Sequence, residues 1–173
     1  SVLIVGPSTS ETIAQAIAKG LAAAGLRVGL QTSKAITISG ERVGAPGLDA
    51  CEAGRIIALN RDADAIILTA QDAESLRSGL GIHRLDAIVL LEGWQNNAAT
   101  VPGHEQRPLP DAIAALFLKT CDGVIFEVAA RDAPKSHASA LAYATWMRWS
   151  QTIEQLAPVV CEHLLARMRD RAD

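Results

Sequence analysis

A chain of 173 residues, 49% of them hydrophobic and 20% charged, has apolar content enough for a core of its own, and folding at this length buries roughly two-thirds of the unfolded surface. Aromatic residues make up only 3%, so that core is expected from Ala, Val, Ile and Leu. A formal net charge of -3 offers no basic field to gather nucleic acid or an anionic membrane surface, which excludes both as expected partners.

Cys51, Cys121 and Cys161 stand far apart, without CxxC or Cys/His spacing, so neither a zinc site nor a disulfide framework is expected and a reducing, cytoplasmic setting fits best. No apolar run reaches the roughly 18 residues of a membrane span, and the opening SVLIVG lacks the basic stretch of a signal peptide. We expect one domain, residues 1–173, cut from a larger protein.

In chain order, Val2 to Val5 runs apolar without alternation into Gly6, which predicts a short strand covered on both faces. From Glu11 to about Gly25, Ile13, Ala16, Ile17, Leu21 and Ala24 recur at helical spacing, with Gly25 where a C-terminal cap belongs. Val28 to Thr32 reads as a second strand, and Ile36 to Val43 as a hairpin turning at Ser39 and Gly40. A helix over Asp49 to Asn60, a buried strand over Ala65 to Leu68, a short helix over Asp72 to Leu80 and a buried strand over Ala87 to Leu91 follow. Residues 93–110 hold three prolines and no periodicity, and are expected to be a loop. Ala112 to Leu118 reads as helix, Val124 to Val128 as strand, and a long helix is expected from about Ser139, kinked or split at Pro158. Alternating strands and helices predict an α/β fold: a mostly parallel sheet with helices on both faces and a β-hairpin insertion.

Strand, glycine, loop and helix together form the usual phosphate cradle, because free N–H groups at a helix N-terminus point toward an anion. The loop here is GPSTSET, so Gly6, Ser8, Thr9, Ser10 and Thr12 are the candidate phosphate-binding residues. A working GxxxxGK[ST] loop needs a lysine for the phosphates and a hydroxyl for magnesium, but Ser10 and Glu11 stand at those places. Glu11 would repel a phosphate about 4 Å away by roughly 1 kcal/mol in water and more in a cleft. The structural reading is that Ser8, Thr9 or Ser10 caps the helix and Glu11 complements its dipole.

A longer pattern lies in QTSKAITISGERV and RDADAIILTAQDAESLRSGLGIHRLDAIVL. The first resembles the Thr-Thr strand and Gly-Glu hairpin of the central domain of Mur ligases, in the form found in cyanophycin synthetases, through Thr32, Ser33, Ile36, Ile38, Gly40 and Glu41. The second matches that family without a gap at Asp62, Asp64, Ala65, Leu68, Leu76, Arg77, Gly79, Leu80, Gly81, Arg84 and Asp86. The resemblance covers roughly residues 1–97 and implies a P-loop-like domain that binds ATP.

Position by position, the resemblance also implies what has been replaced. The family's phosphate-binding lysine falls on Ser10, its metal-binding hydroxyl on Glu11, its acidic magnesium ligand on Thr69, the two glycines of the next turn on Ala73 and Glu74, and its Asp-His pair within Gln95, Asn96 and Asn97. Without lysine, hydroxyl, acid and histidine, most of the electrostatic stabilisation of phosphoryl chemistry is gone. A degenerate, shortened domain is therefore expected, with no catalytic residue, no metal ligand and no cofactor, acting as a scaffold. The resemblance implies as partners an ATP-grasp domain in the same protein and further copies of the chain. The alternative is an ATP-dependent ligase joining an amino acid to a carboxylate, with ATP and magnesium as cofactors.

The remaining candidates are weaker. His83, His104, His137 and His163 show no i, i+4 pairing, and Trp94 stands alone. Trp146, Trp149 and Ile153 sit at helical spacing and are expected to form an interface stripe. Glu127 and Asp132, in and beside VAARDAP, lie where the family contacts its nucleoside, with faint similarity.

Overall fold

Val2–Val5 is apolar at every position because both faces of this strand, β1, are covered: all four side chains are buried. The structure, a computed structural model, describes residues 1–6, 9–71, 76, 78–91, 120–128, 145–150 and 152–171. β1 lies inside a sheet completed by β2 (Val28–Gln31), β3 (Ile36–Ile38), β4 (Glu41–Gly44), β5 (Ala65–Ala70), β6 (Leu85–Leu90), β7 (Cys121–Val128) and β8 (Thr145–Trp149). Their order is β4-β3-β2-β5-β1-β6-β7-β8, parallel throughout except for the β3–β4 hairpin, which pairs antiparallel with β2. The hairpin turns at Ser39 (φ 52°) and Gly40 (φ 86°), two successive left-handed residues as a tight two-residue turn requires.

Strand alternation sends the core to both sides. Val2, Ile4, Ile67, Val89 and Phe126 face the helices α1 (Thr9–Ala23) and α3 (Ile153–Arg169), where Ile13, Ile17, Leu21, Leu156, Val160 and Leu164 meet them. Leu3, Val5, Leu68, Ile88 and Ile125 face α2 (Ala50–Leu59) through Ala53 and Ile57. α2 begins where Asp49 accepts the Glu52 amide at 2.8 Å, and ends at Asn60. Its seating depends on small residues: a side chain at Gly54 would strike the Leu80 carbonyl, and one at Gly81 (φ 63°) would strike the Cys51 carbonyl of α2.

Several framework residues of the sequence pattern have a structural role; Arg77 lies outside the described residues. Arg27 binds Asp64 (3.0 Å) and Asp62 (2.8 Å), closing the link between α1 and β2 onto the one before β5. Leu68, Leu76 and Leu80 are core, Gly79 (φ 85°) and Gly81 make the turn onto α2, Arg84 pairs with Asp122, and Asp86 is buried in an ion-pair cluster.

One expectation fails. No long helix runs through Trp146 and Trp149: Thr145–Trp149 is strand β8, parallel to β7 from Val124↔Thr145 to Val128↔Trp149. The aromatic-rich TWMRW is a good strand former, and pairing with β7 outweighs the helical spacing of its tryptophans. An odd spacing within a strand does not keep two positions on one face, and Ile153 belongs to the first turn of α3, so the three residues form no helical stripe. Pro158 does not split α3 either; it stands on the exposed side of a helix continuous from Ile153 to Arg169. The helix expected over Ala112 to Leu118 and the loop over 93–110 lie outside the described residues, as does most of the one expected over Asp72 to Leu80.

Candidate functional site

β1 ends at Gly6, whose φ of 150° and whose contact with Leu91 both call for glycine: a Cβ would stand 2.5 Å from the Leu91 Cβ. The Gly6 amide donates to the Ala70 carbonyl (2.9 Å) and the Leu91 amide to the Val5 carbonyl (2.9 Å), so the chain enters α1 from between the C-terminal ends of β5 and β6. Thr9 is the first residue of α1; Thr9 and Thr12 are exposed, while Ser10 is buried at 2% exposure. Ser8 lies outside the described residues.

Glu11 does more than complement the helix dipole. Its carboxylate accepts the Ser33 amide at 2.6 Å, joining the first turn of α1 to the segment after β2. Hydrogen bonds from Ser33, with the Lys34 charge, hold the Glu11 carboxyl below its ordinary value against a small opposing effect of burial.

Beside it, Gln31 at the end of β2 reaches Thr69 on β5. The Gln31 Oε1 accepts the Thr69 amide at 2.7 Å and the Thr69 hydroxyl at 3.2 Å, and that hydroxyl also lies 3.3 Å from the Gln31 carbonyl. Both residues are buried, at 6% and 8% exposure. Sequence reasoning missed this pair; its one signal is a polar residue at the same end of two otherwise apolar strands.

At the opposite, N-terminal end of the strands, Asp86, the second residue of β6, has its side chain 6% exposed and faces Arg171 and Arg167 (3.8 Å). Burial pulls its carboxyl upward, and the Arg171 and Arg167 charges act against that pull. His163 places Nε2 3.1 Å from the Asp86 carbonyl and meets Phe126 edge-on, a structural position. The three cysteines are buried and unbonded to one another, and burial pushes the Cys121 thiol up to about 11, which suppresses its thiolate. Glu127 ends buried on β7, beside Leu90 in register, whereas Asp132 and Trp94 lie outside the described residues.

No protein-family model and no curated protein matches the chain. Among solved structures, a UDP-N-acetylmuramoyl-L-alanyl-D-glutamate--2,6-diaminopimelate ligase superposes over 87% of this chain with a TM-score of 0.59 at 14% identity. The fold is Mur-ligase-like. The chain spans 32% of the length of that ligase. A bifunctional folylpolyglutamate synthase/dihydrofolate synthase from Yersinia pestis covers 85% of this chain and 43% of its own at 18% identity, with a TM-score of 0.47.

Mur-type chemistry implies ATP with magnesium, and the described residues do not fit that group. Where the resemblance sets the phosphate lysine stands the neutral, buried Ser10, beside it stands the Glu11 carboxylate, and the Thr69 hydroxyl and amide are both engaged by Gln31. Magnesium asks for carboxylate and phosphate oxygens. Gln95, Asn96 and Asn97, the remaining metal-site positions, lie outside the described residues.

Proposed function

We propose that this chain is a degenerate Mur-ligase-like domain of a cyanophycin-synthetase-type ligase, without ATP chemistry of its own, serving as a structural or oligomerisation scaffold. The observation that carries this reading is the state of the cradle: Glu11 and Thr69 are bound to Ser33 and Gln31, while the framework around them is kept. The partners in this reading are an ATP-grasp domain in the same protein and further copies of the chain, with ATP chemistry left to that partner domain.

Phosphate release from ATP and magnesium over a panel of amino acids and carboxylates tests it. No release above background is expected. Amino-acid-dependent release would instead favour an ATP-dependent acid–amino-acid ligase with a divergent phosphate loop, a reading to which the retained order of β1, Gly6 and α1 lends support. Changing Ser10→Lys together with Glu11→Thr is expected to leave phosphate release at background, since Thr69 still stands where an acidic metal ligand is needed. Hydrolysis by that double variant would reveal a metal site elsewhere in the chain.

The oligomerisation surface in this reading includes Trp146, Trp149 and Ile153, now as the end of β8 and its junction with α3. The Trp149 indole donates to the Thr152 carbonyl at 3.2 Å and its partly buried ring packs on the α1–α3 side of the core. Trp149→Ala is expected to cost about 1–2 kcal/mol, short of the roughly 3–5 kcal/mol of a fully buried Trp, and to lower the oligomeric mass. Thermal unfolding and light scattering check the two parts, and an unchanged mass would remove Trp149 from the interface.

A further inference from the structure

The segment between β2 and β3 is tied down from both sides. The parallel ladder of β2 and β5 runs through Val28↔Ala65, Gly29↔Ile66 and Leu30↔Ile67. Past it the Gln31 carboxamide takes over, receiving the Thr69 amide and hydroxyl in a buried setting where an unpaired polar group would be costly. Thr69 is in register with Ile4, and its neighbour Ala70 with Val5, so this tie sits two residues before the turn at Gly6.

From the other side Glu11, in the first turn of α1, accepts the Ser33 amide. Between the two ties the Thr32 hydroxyl donates to the Ala35 carbonyl (3.2 Å) and accepts the Lys34 and Ala35 amides (3.3 Å each), while the Thr32 amide donates to the same Ala35 carbonyl (3.0 Å). A short turn is thus fixed by contacts to β5, to α1 and within itself, using only groups of this chain.

We propose that residues 31–35 form a closed strap, held by Glu11 and Gln31, that keeps the C-terminal ends of β2 and β5 and the first turn of α1 locked together without a ligand. A carboxylate and a carboxamide supply that order. The proposal rests on the scaffold reading and deepens it, since a strap already closed has nothing to gain from nucleotide.

Amide hydrogen exchange on the whole chain tests it, comparing the wild type with Glu11→Ala and Glu11→Gln, with and without ATP and magnesium. Glu11 is partly exposed, so neither change removes core packing. Exchange at Ser33 is expected to speed up roughly 10- to 100-fold in Glu11→Ala, the equivalent of a charge-assisted hydrogen bond, and less in Glu11→Gln, which keeps a neutral acceptor. The Thr69 amide is expected to stay protected in all three, and to lose protection in Gln31→Ala. Equal Ser33 exchange in wild type and Glu11→Ala would overturn the strap, whatever nucleotide does. Nucleotide-induced protection of residues 9–12 in the wild type, with the Glu11→Ala difference intact, would instead overturn the scaffold reading and leave the strap standing.

Discussion

Replacing Asp86 with alanine is expected to destabilise the domain by about 3 kcal/mol, the low end of the range for breaking a buried ion pair because Arg171 keeps access to water. The carboxylate joins elements distant in sequence, tying the N-terminal end of β6 to Arg167 in α3 and to Arg171 just past the end of that helix. Arg167 also reaches Asp122 on β7 at 2.9 Å, but its Nε is buried without a hydrogen bond and lies 3.8 Å from Asp86, so the loss would take away the carboxylate that faces this nitrogen. Urea unfolding measures the effect, and adding Arg167→Met to Asp86→Ala is expected to recover part of the loss. Additive effects would mean that the two charges do not support one another.

The same group sets a pH dependence. Against the pull of burial, Arg84 and Arg167 hold the folded-state carboxyl of Asp122 below its ordinary value, so its contribution is fully present above the unfolded carboxylate value of about 3.9 and is lost as pH falls through the folded value. Stability is expected to fall on the acid side, and Asp122→Ala to flatten that limb.

Gly54→Val is expected to cost at least about 3 kcal/mol, the upper end for overpacking, because the obstruction is backbone. A Cβ at this position would meet the Leu80 carbonyl, and one at Gly81 would meet the Cys51 carbonyl of α2, so helix and turn pack backbone against backbone. Gly54→Ala is expected to fall between wild type and valine. A valine variant as stable as the wild type in urea would show that α2 does not sit against this turn.

The strands buried on both faces were legible because their apolar runs have no other explanation: Val2–Val5, Ala65–Ala70 and Leu85–Leu90 fall where the sequence puts them, within one or two residues. The hairpin was legible from Ser39-Gly40, and α2 was expected over Asp49 to Asn60, close to the observed Ala50–Leu59. β8 was not, because Trp146, Trp149 and Ile153 fit a helical face as well as a strand followed by a helix, and only pairing with β7 decides between them. That Ser10, Glu11 and Thr69 stand where lysine, hydroxyl and acid are expected is what the family resemblance implies. Where Glu11 and Thr69 turn instead could not be read from the sequence, since Ser33 is 22 residues from Glu11 and Gln31 is 38 from Thr69, and no local pattern announces either bond.

Isothermal titration of the purified chain with ATP and magnesium tests the central claim most directly, because a cradle with a carboxylate in the lysine–hydroxyl stretch and a threonine in place of the acid has little to offer a triphosphate. No binding heat at millimolar nucleotide is the result expected, both for the wild type and after Glu11→Gln. Tight binding that depends on magnesium would contradict the account and return the domain to the ATP-dependent ligases.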